Sequence, residues 1–198
     1  MFKKNSKILA MAAAAVIVAP LAAKAADTTI DATATFRAAI TLGNEVSMDF
    51  GTIDFVGAPA GTDTAGLGTD GSLAFGGNFS GAATGTAGSV DITAGASGAT
   101  LQVQCDTTAT MTETGGESIN VTAIEWAAEG SEAAAGSANA CVGIGSTAGT
   151  FVLNPGTLDT ISLGGTIDGS TASGGFTSAA YSTANAGGTA INVTVIYD

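Results

Sequence analysis

Seventeen Asp and Glu residues and no histidine make the carboxylate the one abundant reactive group in this 198-residue chain. Ser-His-Asp and Cys-His nucleophiles and His-ligated metals are therefore excluded. Paired carboxylates can hydrolyse glycosides, one acting as acid while the other attacks the sugar or activates water. The spacing offers Asp49 with Asp54, Glu113 with Glu117, and Glu125 with Glu129 near Trp126. The ordinary occupant of such a position is a solvated acid beside a turn. The aromatic platforms on which sugars stack are limited to Trp126, Tyr181 and Tyr197. Asp63 and Asp70, in "TDTAGLGTDGS", could chelate calcium, but they do not follow the EF-hand spacing. "GLGTDGSLA" resembles one turn of a calcium-binding nonapeptide repeat, and a single copy buries nothing. The sequence assigns no catalytic residue, no metal and no cofactor.

Cys105 and Cys141 are the only cysteines. With no histidine to activate a thiol and no C-x-x-C motif, they are expected to form a disulfide. Its compartment follows from the start of the chain. "MFKKNSK" is a basic region, "ILAMAAAAVIVAPLAA" an apolar run, and Ala23-Lys24-Ala25 a small-residue cleavage site, together a secretory leader over residues 1–25. Cleavage leaves 198 − 25 = 173 residues, one domain by size, over residues 26–198. It also removes four of the five basic residues, so that Arg37 faces all 17 acids and the net charge becomes 1 − 17 = −16. Such a surface repels nucleic acid and anionic membranes, and no later segment is long and apolar enough to span a bilayer.

The elements that must position these groups are strands. Glycine is abundant, at 29 residues, while apolar residues come in short alternating runs separated by Gly-rich turns. "TTIDATATFRAAITLG", residues 28–43, alternates almost without a break and reads as a long ribbon with one apolar face. "VSMDFGTIDF" follows, and then residues 57–71 read as a loop from their Gly, Pro and Asp content. "SLAFGGNFS" reads as a strand with a glycine bulge, then "GSVDITA" and "ATLQVQC" as strands, the last with Leu101, Val103 and Cys105 inward. "TATMTETGGESINVTAIEW" reads as a hairpin, and residues 127–140 as a long loop with room for one helical turn. "TFVLNPG", "TLDTISLGGTID" and "TAINVTVIYD" complete about ten short strands. The expected fold is all-β, an antiparallel immunoglobulin-like β-sandwich.

"ATATFRAAITLGNEVSMDFGTIDF", with its Met48-Asp49-Phe50-Gly51-Thr52-Ile53 box, resembles the opening of the bacterial secreted family catalogued as domain of unknown function 4402. "SGATLQVQCDTTATMT" and "LGGTIDG…GGTAINVTVIYD" are similar to that family's later strands. The chain also resembles chaperone–usher pilins. Their last strand carries alternating apolar residues and a penultimate tyrosine, matched here by Ile191, Val193, Val195 and Tyr197. Their N-terminal extension fills a neighbouring subunit's sandwich, and Ile30, Ala32, Ala34, Phe36 and Ala38 look similar. Two features depart from the pilin pattern, namely the position of the cysteines and Asn185 upstream of the last strand where pilins carry glycine.

The function expected is that of an exported surface protein, structural or adhesive: a fimbrial-like subunit assembling by β-strand donation. The location expected is the cell surface, extracellular space or periplasm of a Gram-negative bacterium. The partners expected are further copies or other surface subunits, with a periplasmic chaperone implied by the pilin resemblance. The alternative is a self-complete sandwich that binds glycan or calcium through loops 57–71 and 127–140. The opening ribbon separates the two readings, because it either completes its own sheet or another molecule's.

Overall fold

The structure is a computed structural model that describes residues 33–146, 149–154, 159–174 and 176–198. Among these residues the chain forms thirteen strands, all antiparallel where they pair, and one 3-10 turn at Gly169–Thr171. The strands are β1 (Thr41–Val46), β2 (Ile53–Asp54), β3 (Thr64–Leu67), β4 (Leu73–Gly76), β5 (Ser80–Gly81), β6 (Gly88–Ala94) and β7 (Thr100–Cys105). They continue with β8 (Ala109–Thr112), β9 (Ser118–Ala128), β10 (Asn139–Ala140), β11 (Gly149–Val152), β12 (Asp159–Asp168) and β13 (Val193–Tyr197).

The "TLDTISLGGTID" run supplies the central strand. β12 pairs along one side with β9, and along the other first with β6 (Asp159–Leu163) and then with β3 (Gly165–Asp168). Glycine makes this change of neighbour possible. A Cβ on Gly164 would lie 2.4 Å from the Leu67 carbonyl oxygen, so any side chain there would push β3 away. β1 adds to β6, β4 to β3, and β8 and β10 to β9, giving an eight-stranded sheet. β9 bulges at Ala123, whose φ of 46° lies in the left-handed region, and beyond the bulge Ile124, Glu125, Trp126 and Ala127 are all buried.

A second sheet, in the order β11-β7-β13, lies over part of this one. Leu101, Val103 and Cys105 alternate into the core and are fully buried, as their spacing requires. Phe151 of β11 meets Trp126 of β9 at 6.2 Å between ring centroids. The Cys105–Cys141 disulfide joins the end of β7 to the residue after β10, with 5.2 Å between the Cα atoms. Cys141 N–H donates to the Ile124 carbonyl, so the bond staples the small sheet to the large one. The result is an antiparallel all-β sandwich. β2 and β5 pair separately as a two-stranded ribbon.

Four expectations are corrected. Residues 57–71 are not all loop: β3 lies inside them, with Ala65 and Leu67 fully buried. Alternation cannot reveal such a strand, because its apolar residues are small and broken by glycine. "SLAFGGNFS" is two strands separated by a turn at Gly77 (φ 66°) rather than one bulged strand. Residues 127–140 hold the end of β9, a turn-rich loop and β10, with no helical turn. Among the described residues the opening ribbon pairs later than its alternation predicts: residues 33–40 belong to no strand, and pairing begins at Thr41.

Candidate functional site

The small sheet caps only part of the large one. Elsewhere the large sheet is covered by two irregular segments, and a trough runs between them. Its floor is built from inward residues of four strands: Val90 of β6, Met111 of β8, Ile119 and Val121 of β9, and Leu163 and Ile167 of β12. One wall is the end of β1 with residues 47–55, tied down by the Asp49–Thr86 bridge. The other wall is residues 176–184 with Ile191 and Val193, tied to the outer edge of β8 by the Thr112–Ser182 and Thr110–Thr189 bridges.

The trough has two lobes, of about 470 and 430 Å³. They share Met48, Phe50, Met111 and Tyr181, which line the junction between them. The larger lobe carries an aromatic wall, with Phe55 edge-on to Phe176 at 5.3 Å and Phe176 stacked on Tyr181 at 4.5 Å. The smaller lobe opens between β1 and β13, which end their respective sheets. Two of the junction residues, Met48 and Met111, are apolar side chains of flexible shape, a composition suited to receiving another apolar surface.

The proposed assembly residues fall into three groups. Ile30 and Ala32 lie outside the described residues. Ala34, Phe36 and Ala38 are exposed and unpaired in any sheet, and Phe36 is 93 % exposed. Ile191, Val193, Val195 and Tyr197 share one face at the last strand, where Val195 is buried, while Ile196 on the opposite face is 40 % exposed. Ile191 and Val193 line the smaller lobe. Tyr197 lies away from the trough: its hydroxyl donates to the Ala38 carbonyl at 2.6 Å and accepts from Ala96 N–H at 2.7 Å. The Arg37 guanidinium lies 5.2 Å from the centroid of the same ring.

The carboxylates are dispersed. Asp49 accepts from Gly51 N–H and Asp70 from Ser72, each closing its own turn. Asp63 is buried and accepts from the backbone N–H groups of Asn78 and Ala60, which together hold its carboxyl below the usual range. Glu125 is buried and accepts from Gly136 and Ala138 N–H, whereas Glu129 is exposed, so those two do not face one cleft. Glu113 and Glu117 do meet, at the tip of the β8–β9 hairpin. The hydrogen bond between their carboxyls lowers the pKa of Glu113 and raises that of Glu117. Among the described residues no group of three or more His, Cys, Asp or Glu side chains could hold a metal ion, and no helix is long and apolar enough to cross a membrane.

No family model matches the chain, and no curated protein or solved structure matches it either. Sequence reading found one wall through the Met48–Ile53 box without recognising its role. It missed the other wall, Phe176–Ala184, because an irregular Ala/Ser/Thr-rich segment carries no periodic signal.

Proposed function

We propose that this protein is an exported cell-surface component, structural or adhesive: a fimbrial-like subunit that assembles by β-strand donation. One observation carries the reading: Phe36, the largest side chain of an alternating apolar row, is 93 % exposed in a segment whose described residues, 33–40, join no strand. An unpaired extended segment offers a row of backbone donors and acceptors that another sheet edge can complete. The leader over residues 1–25 agrees with the reading, as does the resemblance of the last strand, with its penultimate Tyr197, to that of chaperone–usher pilins.

Long main-chain pairing with apolar side chains seated in a groove gives slow dissociation. Unboiled samples of protein recovered from the surface of producing cells should therefore run in SDS as a ladder of multimers that collapses to one band on boiling. A single monomer band before boiling would overturn the proposal.

A further inference from the structure

We infer that the Arg37–Ala38 peptide bond is a processing site for a trypsin-like endopeptidase, and that Tyr197 sets how fast it is cut. Arg37 is the only Lys or Arg beyond Lys24, so the 198 − 37 = 161 residues from Ala38 onward offer such an enzyme no second site. Enzymes of this class take the side chain before the scissile bond into a pocket that carries a carboxylate. They bind the flanking main chain extended, as an added strand. Residues 33–40 meet both demands: they belong to no strand, and residues 33–39, Arg37 among them, are exposed. Neither an acid nor a proline stands between Thr33 and Ile40, so no neighbouring charge competes for the guanidinium and the scissile nitrogen lies outside a ring. Exposed segments outside regular structure, near the start of a domain, are where cutting concentrates.

The position of the bond decides what the cut does. The described strands begin at Thr41, and the core and the disulfide also lie C-terminal to Arg37. Water supplies a hydroxyl to the Arg37 carbonyl carbon and a proton to the Ala38 nitrogen as the C–N bond breaks. The products are an arm ending in the Arg37 carboxylate and a body that begins at Ala38 with its sheets whole. Phe36, 93 % exposed, leaves with the arm. Tyr197 holds both sides of this bond. The guanidinium of Arg37 lies 5.2 Å from the centroid of its ring, and its hydroxyl donates to the Ala38 carbonyl at 2.6 Å. An endopeptidase must draw Arg37 off the ring and free that carbonyl before the segment can lie straight in its cleft, so the tyrosine slows the cut. Cutting requires only this exposed segment, and not donation of the arm to another copy.

Trypsin, added to the folded exported chain under native conditions, is the probe. Mass spectrometry should find a body beginning at Ala38 and no cut after it, and Arg37→Gln should remove that product. Tyr197→Ala, which loses the hydroxyl bond and the ring contact together, should be cut about tenfold faster than the wild type. Tyr197→Phe, which keeps the ring, should fall between the two. A glutamate-specific peptidase should attack the body of all these chains at one rate, showing that the gain is local to Arg37. In protein recovered from the surface of producing cells, a species beginning at Ala38 is expected from the wild type and not from Arg37→Gln. A folded wild type that trypsin leaves whole, or surface protein that all retains Arg37, overturns the processing site. Tyr197→Phe and Tyr197→Ala cut at the wild-type rate overturn the role of Tyr197. A chain that is cut at Arg37 yet shows no multimer ladder before cutting overturns strand donation and supports the processing site.

Discussion

The hydroxyl of Tyr197 and the carbonyl of Ala38 are 2.6 Å apart, although 159 positions separate the two residues in the chain. The second-last residue thereby fixes the place where the N-terminal arm leaves the sandwich. The same hydroxyl accepts from Ala96 N–H, so that one oxygen joins the arm, the β6–β7 connection and the last strand. Tyr197→Phe keeps the ring under Arg37 and removes both bonds. The expected loss is about 1–2 kcal/mol in stability, with faster amide exchange confined to the neighbourhood of Ala38–Thr41 and Ala96. Denaturant melts and residue-resolved hydrogen exchange check this; an unchanged exchange pattern would show that the bridge does not hold the arm.

The disulfide should matter through the unfolded chain. Cys105 and Cys141 are 36 positions apart, and cross-linking a loop of that size restricts the denatured ensemble by about 3–4 kcal/mol. A chain carrying both Cys105→Ala and Cys141→Ala is expected to lose stability of that order. Because the bond staples β7 to the β9–β10 edge, the loss should appear first as exposure of Trp126, seen as a red shift of its fluorescence at intermediate denaturant.

Asp63 sets an acid limit. Backbone N–H donation from Asn78, then from Ala60, lowers its folded pKa below the ordinary carboxylate value of about 3.9. The unfolded chain therefore binds the proton more readily, and the contribution of Asp63 is present above pH about 4 and lost as pH falls through the lower folded value. Asp63→Asn is expected to melt at a lower temperature than the wild type at pH 7. The gap should narrow as pH falls below about 4, since the substituted position no longer titrates. Thermal melts between pH 2 and 7 measure this, and a gap independent of pH would exclude the carboxylate as the cause.

Much of the fold is legible in particular residues. β7 follows from the alternation of Leu101, Val103 and Cys105, the β8–β9 hairpin from its Gly115-Gly116 turn, and β13 from Val193, Val195 and Tyr197. β3 escapes notice because Thr64-Ala65-Gly66-Leu67 looks like the loop around it. Its burial comes from β12 and β4 on either side, which no local pattern encodes. The ribbon at residues 28–43 misleads in the opposite direction, since alternation records a face fit for burial without recording which sheet receives it.

The sequence alone determined the all-β class, the cysteine pair, the acidic character with Arg37 as its single late cation, and the absence of histidine chemistry. These are matters of composition and of short-range period, and both are written residue by residue. Tertiary structure decided that β12 is the central strand, that the disulfide joins two sheets, and that the Met48–Ile53 box faces Phe176–Ala184 across an unfilled trough. Those facts depend on which distant segments meet. The glycines at 164 and 165 show the reason: the sequence places them within a strand run, and only the approach of Leu67 and Val121 makes them the crowded centre of a sheet.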